Sequence, residues 1–349
     1  CNAVMEKPEG KESVSSFQAL MVSTASRVGT GNIVGVSSAI CIGGVGSVFW
    51  MWIIAILGSA SALAESTLAQ IYKKKGEDGK CYGGPAYYIE AALHSRGLAV
   101  VFCIAMILTY AFGFNMLASY NLQSTFAGQP FYNADITPWI IGGILALVMG
   151  WCLLGGGNRI VKVTSTLVPF MGITYILVSL FVVVLNIGQL PSVMAQIFKE
   201  AFDFKAIFAG FAGSAMMQGI RRGLYSNEAG IGSAPNAAAS AVVSHPVKQG
   251  LVQMLSVFID TLLLCTATAM MCLVSGVIPA KELQGAPWVQ AALHKTLGSF
   301  GPYFIMIAMV LFAFTTLLGN CFYCDNLLTY IHKKQPDRKF MTGFRIVSA

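Results

Sequence analysis

Long apolar runs separated by short polar links make up most of the chain. A helix needs about 20 mostly apolar residues to cross the hydrocarbon core of a bilayer. Turn-rich or charged links such as KKKGEDGKCYGGP, GGGNR and AGQPFYNADITP bound the runs that reach this length. The pattern predicts an all-α integral membrane protein with candidate spans at residues 14–41, 47–72, 98–126, 137–155, 163–187, 204–224, 249–276 and 300–331.

The composition agrees with this prediction and excludes a soluble domain. Of the 349 residues, 56% are hydrophobic and 11% are charged, whereas soluble proteins carry about 25% charged residues. The chain begins with Cys1, shows no basic start followed by a short apolar core, and ends in FRIVSA. We expect it to be an internal fragment of a longer protein.

The net charge of +7 is spread unevenly over the links between the spans. With the N-terminus inside, the outer links hold only Lys199, Lys205, Lys281 and Lys295. The inner links then hold Lys73, Lys74, Lys75, Lys80, Arg96, Arg159, Lys162, Arg221, Arg222, Lys248 and the basic tail from Lys333 to Arg345. Because Lys and Arg concentrate on the cytoplasmic side, the first span should start in the cytoplasm of a bacterial-type plasma (inner) membrane. The positive charge then needs no nucleic acid as a partner.

The first span is interrupted near its middle by SRVGTGNIVG, residues 26–35. Backbone that leaves a helix inside a membrane survives only where it lines a protein or water cavity. Its free carbonyls suit a hard cation, and the positive end of the following half-helix suits a carboxylate. The alternative is that Gly31 and Gly35 only allow two helices to pack closely.

The sixth span repeats this feature in FAGFAGSAMMQGIRRGLYSNEAG, with Gly210, Gly213 and Gly219 before a polar end. Two glycine-interrupted apolar segments in corresponding positions of two halves indicate a transporter site between inverted repeats. The pair therefore favours a binding site over helix packing alone.

Three polar residues within the later spans are candidates for ion coupling. Thr315 and Thr316 either bond back to carbonyls of their own helix or ligate an alkali cation opposite the first span. Asp260 lies deepest in an apolar run, where ionisable residues are costly and face the protein interior. It could join a sodium site, carry a proton or act as a paired structural anion.

The motifs SSFQAL, VGTGNIVGV, GSVFWMW, GGPAYYI, RRGLYSNEAGIGSAPNAAA and VFIDTLLLCTATAM occur in this order between about residues 15 and 330. In these stretches the chain resembles the sodium:alanine (glycine) symporters, or amino acid carrier proteins. The resemblance implies one transmembrane transporter domain over residues 1–349 with the LeuT-type five-plus-five inverted-repeat core, whose helices 1 and 6 are unwound. The first repeat would cover about 14–187 and the start of the second about 204–331. About eight core helices would then be present, with core helices nine and ten and an extra N-terminal helix outside the chain.

The resemblance also implies a binding site. Thr30, Gly31 and Asn32 would hold the carboxylate of the amino acid, and Gln218 and Gly219 would line its amine and side-chain region. The coupling ion Na⁺ would be bound by a set of backbone carbonyls and hydroxyls, namely the carbonyls of Ala25 and Val28 and the hydroxyls of Thr315 and Thr316. The SNEAG segment, residues 226–230, would lie near the cytoplasmic gate.

One stretch departs from the family pattern. The third span usually reads like FNxVQxN, with its glutamine near the substrate, whereas this chain reads FNMLASY. Ala118 stands at the glutamine position and Tyr120 stands where asparagine is common. The smaller side chain predicts a wider pocket and a substrate larger than glycine or alanine, such as glutamine.

Together these features predict sodium-coupled symport of a small neutral amino acid, alanine, glycine or glutamine, by alternating access, in an oligomeric state left open. The first alternative is proton coupling through Asp260. A passive channel would need a continuous polar stripe, which the spans lack. An intramembrane enzyme would need a catalytic constellation, yet the histidines at 94, 245, 294 and 332 all fall at links or span ends.

Overall fold

The computed structural model of the chain describes residues 3–6, 14–76, 79–203, 210, 214–333 and 336–348. Its helices are α1 (Ser16–Arg27), α2 (Gly31–Gly43), α3 (Ser47–Ile71), α4 (Pro85–Leu93), α5 (Arg96–Ser124), α6 (Thr137–Leu154), α7 (Gly156–Leu185), α8 (Leu190–Ala201), α9 (Ala215–Asn227), α10 (Ala234–Ala238), α11 (Pro246–Val274), α12 (Ala286–Leu297), α13 (Phe300–His332) and α14 (Arg338–Ser348). A two-stranded antiparallel ribbon, β1 (Lys74–Lys75) and β2 (Cys81–Tyr82), links α3 to α4.

Within the described residues, six helices are long and apolar enough to cross a membrane: α3, α5, α6, α7, α11 and α13. Their ends match the predicted spans closely, except that α7 begins at Gly156. The predicted GGGNR link is therefore almost entirely helical, because Gly156 takes a positive φ of 75° and the next helix starts at once. Of the three glycines predicted to interrupt span six, Gly213 lies outside the described residues, which include only Gly210 between 204 and 213. Gly219 lies within helix α9, so the chain is not unwound there.

The first span consists of two half-helices, as predicted. Ser15 and Gln18 form a capping box at the start of α1, in which each side chain binds the other residue's backbone N–H. This reciprocal capping satisfies two backbone groups that a helix start leaves open. Helix α1 ends at Arg27, and α2 resumes at Gly31 without a side-chain cap.

Helix α3 packs against α9 and α11 through close contacts at glycines. A Cβ at Gly219 would overlap the Ser47 backbone, and a Cβ at Gly223 would stand 2.9 Å from Ile54 Cγ2. One face of α9 is therefore pressed onto α3. This contact fixes the rotation of α9 about its own axis and so decides which of its residues face the break in the first span.

Helix α13 runs alongside α1 at a similarly short distance. A Cβ at Gly319 would stand 2.6 Å from the Ser26 backbone nitrogen. The Ser26 hydroxyl donates to Asn320 Oδ1 at 2.7 Å. These contacts hold the end of α1 against the middle of α13.

Two helices contain a wide π-helical turn, at Leu108–Gly113 in α5 and at Phe258–Cys265 in α11. Such turns insert one residue into a helix and occur often at functional sites. The turn in α11 carries Asp260, which is fully buried.

The segment before α1 is tied to the loop after α10. Val14 and Ala241 form a parallel bridge, and the Val242 N–H donates to Val14 O at 3.2 Å. Farther out, the Glu6 carboxylate pairs with Lys248 at 3.3 Å. The start of the first span is thereby joined to the second half of the chain.

Candidate ion and substrate site

The break between α1 and α2 covers Val28, Gly29 and Thr30. The Val28 N–H still donates to Thr24 O, and the first bond of α2 runs from the Asn32 N–H to Gly29 O. In the part of the chain that the structure describes, no backbone bond at the break engages the N–H of Thr30 or Gly31. The start of α2 therefore presents open N–H groups and the positive end of its dipole.

Asn32 joins the break to α11. Its Oδ1 accepts the Gly29 N–H at 3.2 Å, and its Nδ2 donates to Asp260 Oδ1 at 2.6 Å. The other carboxylate oxygen of Asp260 accepts the hydroxyls of Ser226 at 2.6 Å and Thr261 at 2.9 Å. Both oxygens of this buried carboxylate are thus held by neutral donors, and the predicted residue Asn32 supports the backbone of the break.

Of the predicted sodium residues, Thr316 lies at the contact between the break and α13, whereas the Thr315 hydroxyl lies against Met171 Sδ on α7 at 3.5 Å. A Cβ at Gly29 would overlap the Thr316 hydroxyl, which therefore sits directly against the break. Both threonines donate to carbonyls of their own helix, Thr316 to Phe312 O at 2.8 Å. Since the Thr316 proton is directed to its own helix, lone pairs of the Thr316 oxygen stay available to a cation at the break. Ala25 and Val28 are buried in the same region.

A cavity of about 30 Å³ lies beside the break, large enough for about one water molecule. The residues lining it come from the break, α5, α9 and α13, and include Gly29, Thr30, Gly31, Ala118, Arg222 and Thr316. The structure therefore brings together residues predicted to hold the substrate carboxylate (Thr30 and Gly31), to shape the pocket (Ala118) and to bind Na⁺ (Thr316).

Helix α5 contributes more to this cavity than the sequence predicted. Ala118 is buried and lines it, whereas Tyr120 turns outward with 63% of its surface exposed. One turn beyond Ala118, Asn121 Nδ2 donates to the Thr30 hydroxyl at 3.3 Å. Sequence reasoning missed Asn121, although its spacing of three from Ala118 puts both on one helix face.

The structure places Gln218 and Gly219 away from this cavity. A Cβ at Gly43, at the far end of α2, would meet Gln218, and Gly219 faces Ser47 on α3. Gly43 lies twelve residues beyond Gly31, a distance of about 18 Å along a helix. These two predicted residues are not brought together with Thr30 and Ala118.

Helix α9 instead reaches the cavity through Arg222 and Ser226. The prediction that Arg222 lies in an inner link is wrong, because the side chain is only 7% exposed. Its neighbour Arg221 is exposed but also lies within α9 and not in a link. The sequence did contain a signal for this burial, namely the spacing of Gly219 and Gly223. These glycines mark the face of α9 that packs on α3, and Arg222 and Ser226 therefore point into the protein.

A second buried cluster lies at the α1 end of the break. Glu228 accepts hydroxyl protons from Ser26 at 3.3 Å and from Ser233 at 2.7 Å. Arg27 donates to the backbone carbonyl of Gln253. The SNEAG segment therefore ties the end of α1 to the loop after α9.

The sodium:alanine symporter family model matches the whole chain, residues 1–349. The chain belongs to this family. Among its relatives, the probable sodium/glutamine symporter GlnT of Bacillus subtilis is 46% identical over 96% of this chain and 69% of its own length. The sodium/alanine symporter AgcS of Methanococcus maripaludis is 37% identical over 96% of this chain and 74% of its own.

The fold of this symporter has a counterpart among solved structures. The crystal structure of MhsT in complex with L-phenylalanine superposes with a TM-score of 0.64 at 14% identity, over 97% of this chain and 78% of MhsT. MhsT is a LeuT-fold transporter, so the predicted LeuT-type fold is confirmed. The count of about eight core spans and the unwinding of helix 6 stay predictions. The division into repeats at 14–187 and 204–331 stays a prediction.

Proposed function

We propose that this symporter carries a small neutral amino acid into the cytoplasm together with Na⁺, and that both solutes bind at the break between α1 and α2. The observation that carries the proposal is the Thr316 hydroxyl seated against Gly29, beside a cavity lined by Thr30, Gly31 and Ala118. Family membership supports Na⁺ as the coupling ion and an amino acid as the cargo.

In this proposal each part of the break has one task. The carbonyls of Ala25 and Val28 with the hydroxyls of Thr315 and Thr316 offer the oxygen ligands that hard cations prefer. The open N–H groups at the start of α2 suit the substrate carboxylate. Because Na⁺ and the amino acid use the two sides of one unwound segment, each stabilises the backbone that the other needs. Rocking of one helix bundle against the other then exposes the site to the cytoplasm, with no covalent step.

The cavity beside the break supports a further point about substrate size. Ala118 leaves room where the family pattern has glutamine, and a relative named for glutamine transport is 46% identical. We therefore include glutamine with alanine and glycine among the substrates. The protein would sit in a bacterial-type plasma membrane with the start of α1 in the cytoplasm, since the inner links carry most of the basic residues.

The second candidate is proton coupling through Asp260, which is fully buried beside the break. Against it, the Asn32 amide and the Ser226 and Thr261 hydroxyls offer three donors to the two carboxylate oxygens, an environment that suits an ionised group. Its charge is then structural and helps to hold Asn32 and Ser226 in place.

Uptake into liposomes decides between the two ions. The complete gene product is reconstituted, and labelled alanine, glycine and glutamine are offered under an inward Na⁺ or an inward H⁺ gradient. We expect uptake to follow Na⁺ and to fall about 100-fold or more in Thr316→Ala, because a site built from few ligands loses one of them. Thr164→Ala removes a buried hydroxyl that binds its own helix and serves as the control. Uptake that follows H⁺ and persists in Thr316→Ala would move coupling to Asp260.

A further inference from the structure

Arg222 is a buried cation whose position the proposed transport mechanism does not yet use. The side chain is 7% exposed, and its guanidinium lies along the start of α2. A Cβ at Gly31 would stand 2.9 Å from Nη2, and a Cβ at Gly35 would overlap Nη1. The two glycines therefore make room for an arginine, which explains their spacing better than direct contact between helix backbones.

No carboxylate is in contact with this guanidinium in the described part of the chain. The ion pairs found there are Arg96–Glu90, Lys248–Glu6 and Arg345–Asp325. The Nε of Arg222 is fully buried and has no hydrogen-bond partner among the described residues. An unpaired buried charge is strongly destabilising, so such a group inside a membrane protein calls for an anion.

Asp260 is one candidate and is already engaged. The charge of Arg222 acts on it electrostatically, but both carboxylate oxygens accept bonds from Asn32, Ser226 and Thr261. Asp260 therefore lowers the cost of burying the arginine without forming a contact ion pair. The other face of the guanidinium lies over the Tyr225 ring, 5.3 Å from its centre.

The guanidinium, the open N–H groups of Thr30 and Gly31 and the positive end of α2 surround one small volume, which Arg222 itself lines. Guanidinium and carboxylate groups match in geometry, and their hydrogen bonds are about twice as strong as neutral ones. We propose that Arg222 binds the carboxylate of the transported amino acid, jointly with the start of α2. The inference rests on the proposed function and makes a free carboxylate an obligatory part of the substrate.

The test compares alanine with alaninamide, which lacks the negative charge. Sodium-driven uptake of labelled alanine is measured in liposomes, and both compounds are titrated as inhibitors. In the wild type we expect alanine to be preferred by about 100-fold or more, as for a buried charge pair. In Arg222→Gln the KM for alanine should rise by a similar factor, and the preference should fall below about 10-fold. The KM and the preference in Arg222→Lys should be intermediate, because lysine keeps the positive charge but lacks the planar guanidinium that can form two parallel hydrogen bonds.

The matched control is Arg221→Gln, which removes the adjacent, exposed arginine. It should leave the KM for alanine and the preference for alanine over alaninamide unchanged. Stabilisation of Arg222→Gln by Na⁺ alone verifies that this variant folds. If Arg222→Gln does not fold, Arg222→Lys is used instead. A preference for alanine over alaninamide in Arg222→Lys that equals the wild-type value would overturn the proposal. Inhibition constants for alanine and alaninamide that rise by the same factor also overturn it, because the arginine would then be structural. Absence of Na⁺-driven uptake in the wild type would instead contradict the proposed function.

Discussion

Substitution of Gly29 should show best whether the break between α1 and α2 binds Na⁺ or is only an irregular stretch of backbone. Any Cβ at this position would overlap the Thr316 hydroxyl. Overpacking of this kind costs about 1–3 kcal/mol, and here it would act on a proposed sodium ligand. We expect Gly29→Ala to raise the Na⁺ concentration for half-maximal uptake about 10-fold or more, measured in liposomes at saturating alanine.

Gly172→Ala is the matched control, because a Cβ on this α7 residue meets nothing within 4 Å. Its sodium dependence should equal that of the wild type. Equal sodium dependence in Gly29→Ala would mean that Thr316 and the break do not hold the ion.

Ala118 should set the upper size of the substrate. It lines the cavity and is buried, so a larger side chain takes space from the cargo. We expect Ala118→Gln to reduce glutamine uptake about 10-fold or more relative to alanine uptake, in line with the selectivity that small changes in pocket volume produce. The ratio of the two initial rates is the measurement. Ala118→Ser adds one atom and should preserve the ratio, whereas an unchanged ratio in Ala118→Gln would remove Ala118 from the pocket.

The residues of the break could be predicted because their chemistry is local. Glycine and threonine in the middle of an apolar run signal an open backbone wherever the helix packs. The side chains that meet the break from other helices could not be predicted in the same way. Asn121 and Arg222 reach it only because of how α5 and α9 are rotated, and that rotation comes from tertiary contacts such as Gly223 against Ile54.

At the scale of elements, α4 is fastened to the end of α13 by a pH-sensitive contact. The Tyr330 hydroxyl donates to Glu90 Oε2 at 2.6 Å, and Arg96 Nη1 lies 3.6 Å from Oε1. The Tyr330 hydrogen bond, helped by the Arg96 charge, holds the pKa of Glu90 below its usual value. A lowered carboxyl pKa stabilises the folded state above the ordinary glutamate value of about 4.3, and this stabilisation is lost as the pH falls through the lowered pKa.

We expect Tyr330→Phe to lower the free energy of unfolding by about 1 kcal/mol at pH 7, a value reduced for partial exposure of the carboxylate. The difference from the wild type should shrink as the pH drops below about 4. Thermal unfolding of the purified protein in detergent across this range is the measurement. In a Glu90→Gln background the effect of Tyr330→Phe should be independent of pH, and a pH-dependent effect there would assign the titration to another group.

Element positions could be read from the sequence almost throughout, since apolar length decides where a chain can cross a bilayer. The exception at Gly156 is instructive. A run of glycines predicts a link, but a single glycine with positive φ can turn the chain within one residue. Helix α7 then starts immediately, and its residues Asn158 and Arg159 become helical.

At the scale of the whole molecule, the cavity of about 30 Å³ is too small for any amino acid. If the amino acid binds there as proposed, it must widen this cavity, and the energy for widening must come from the bound solutes. If Na⁺ and the amino acid share the break, each should raise the affinity of the other by the same factor, because linkage is reciprocal.

We expect saturating Na⁺ to tighten alanine binding about 10-fold or more, and saturating alanine to tighten Na⁺ binding equally. Melting temperatures over a matrix of both concentrations give the two factors, since ligand binding raises stability in proportion to the logarithm of one plus the ratio of ligand concentration to Kd. Replacement of Na⁺ by K⁺ is the control. Stabilisation by alanine that is equal in Na⁺ and K⁺ would show that the two sites are independent.

The overall architecture was accessible from sequence because family motifs are spread along the chain and fix the order of its helices. The division into two repeats concerns symmetry between the halves of the chain. The second half includes residues 204–209 and 211–213, which lie outside the described part. The contacts between halves, such as Asn32 with Asp260, join residues 228 positions apart, and no local pattern announces a pairing at that separation.

The bridge between Val14 and Ala241 offers a way to observe when two segments of this transporter separate. The Val242 amide is held by one hydrogen bond that joins the start of α1 to the loop after α10. An amide of this kind exchanges its hydrogen for deuterium only when the two segments separate. If α1 swings aside to release cargo inward, that bond opens, so the exchange rate of the Val242 amide should rise with the fraction of time that the two segments are apart.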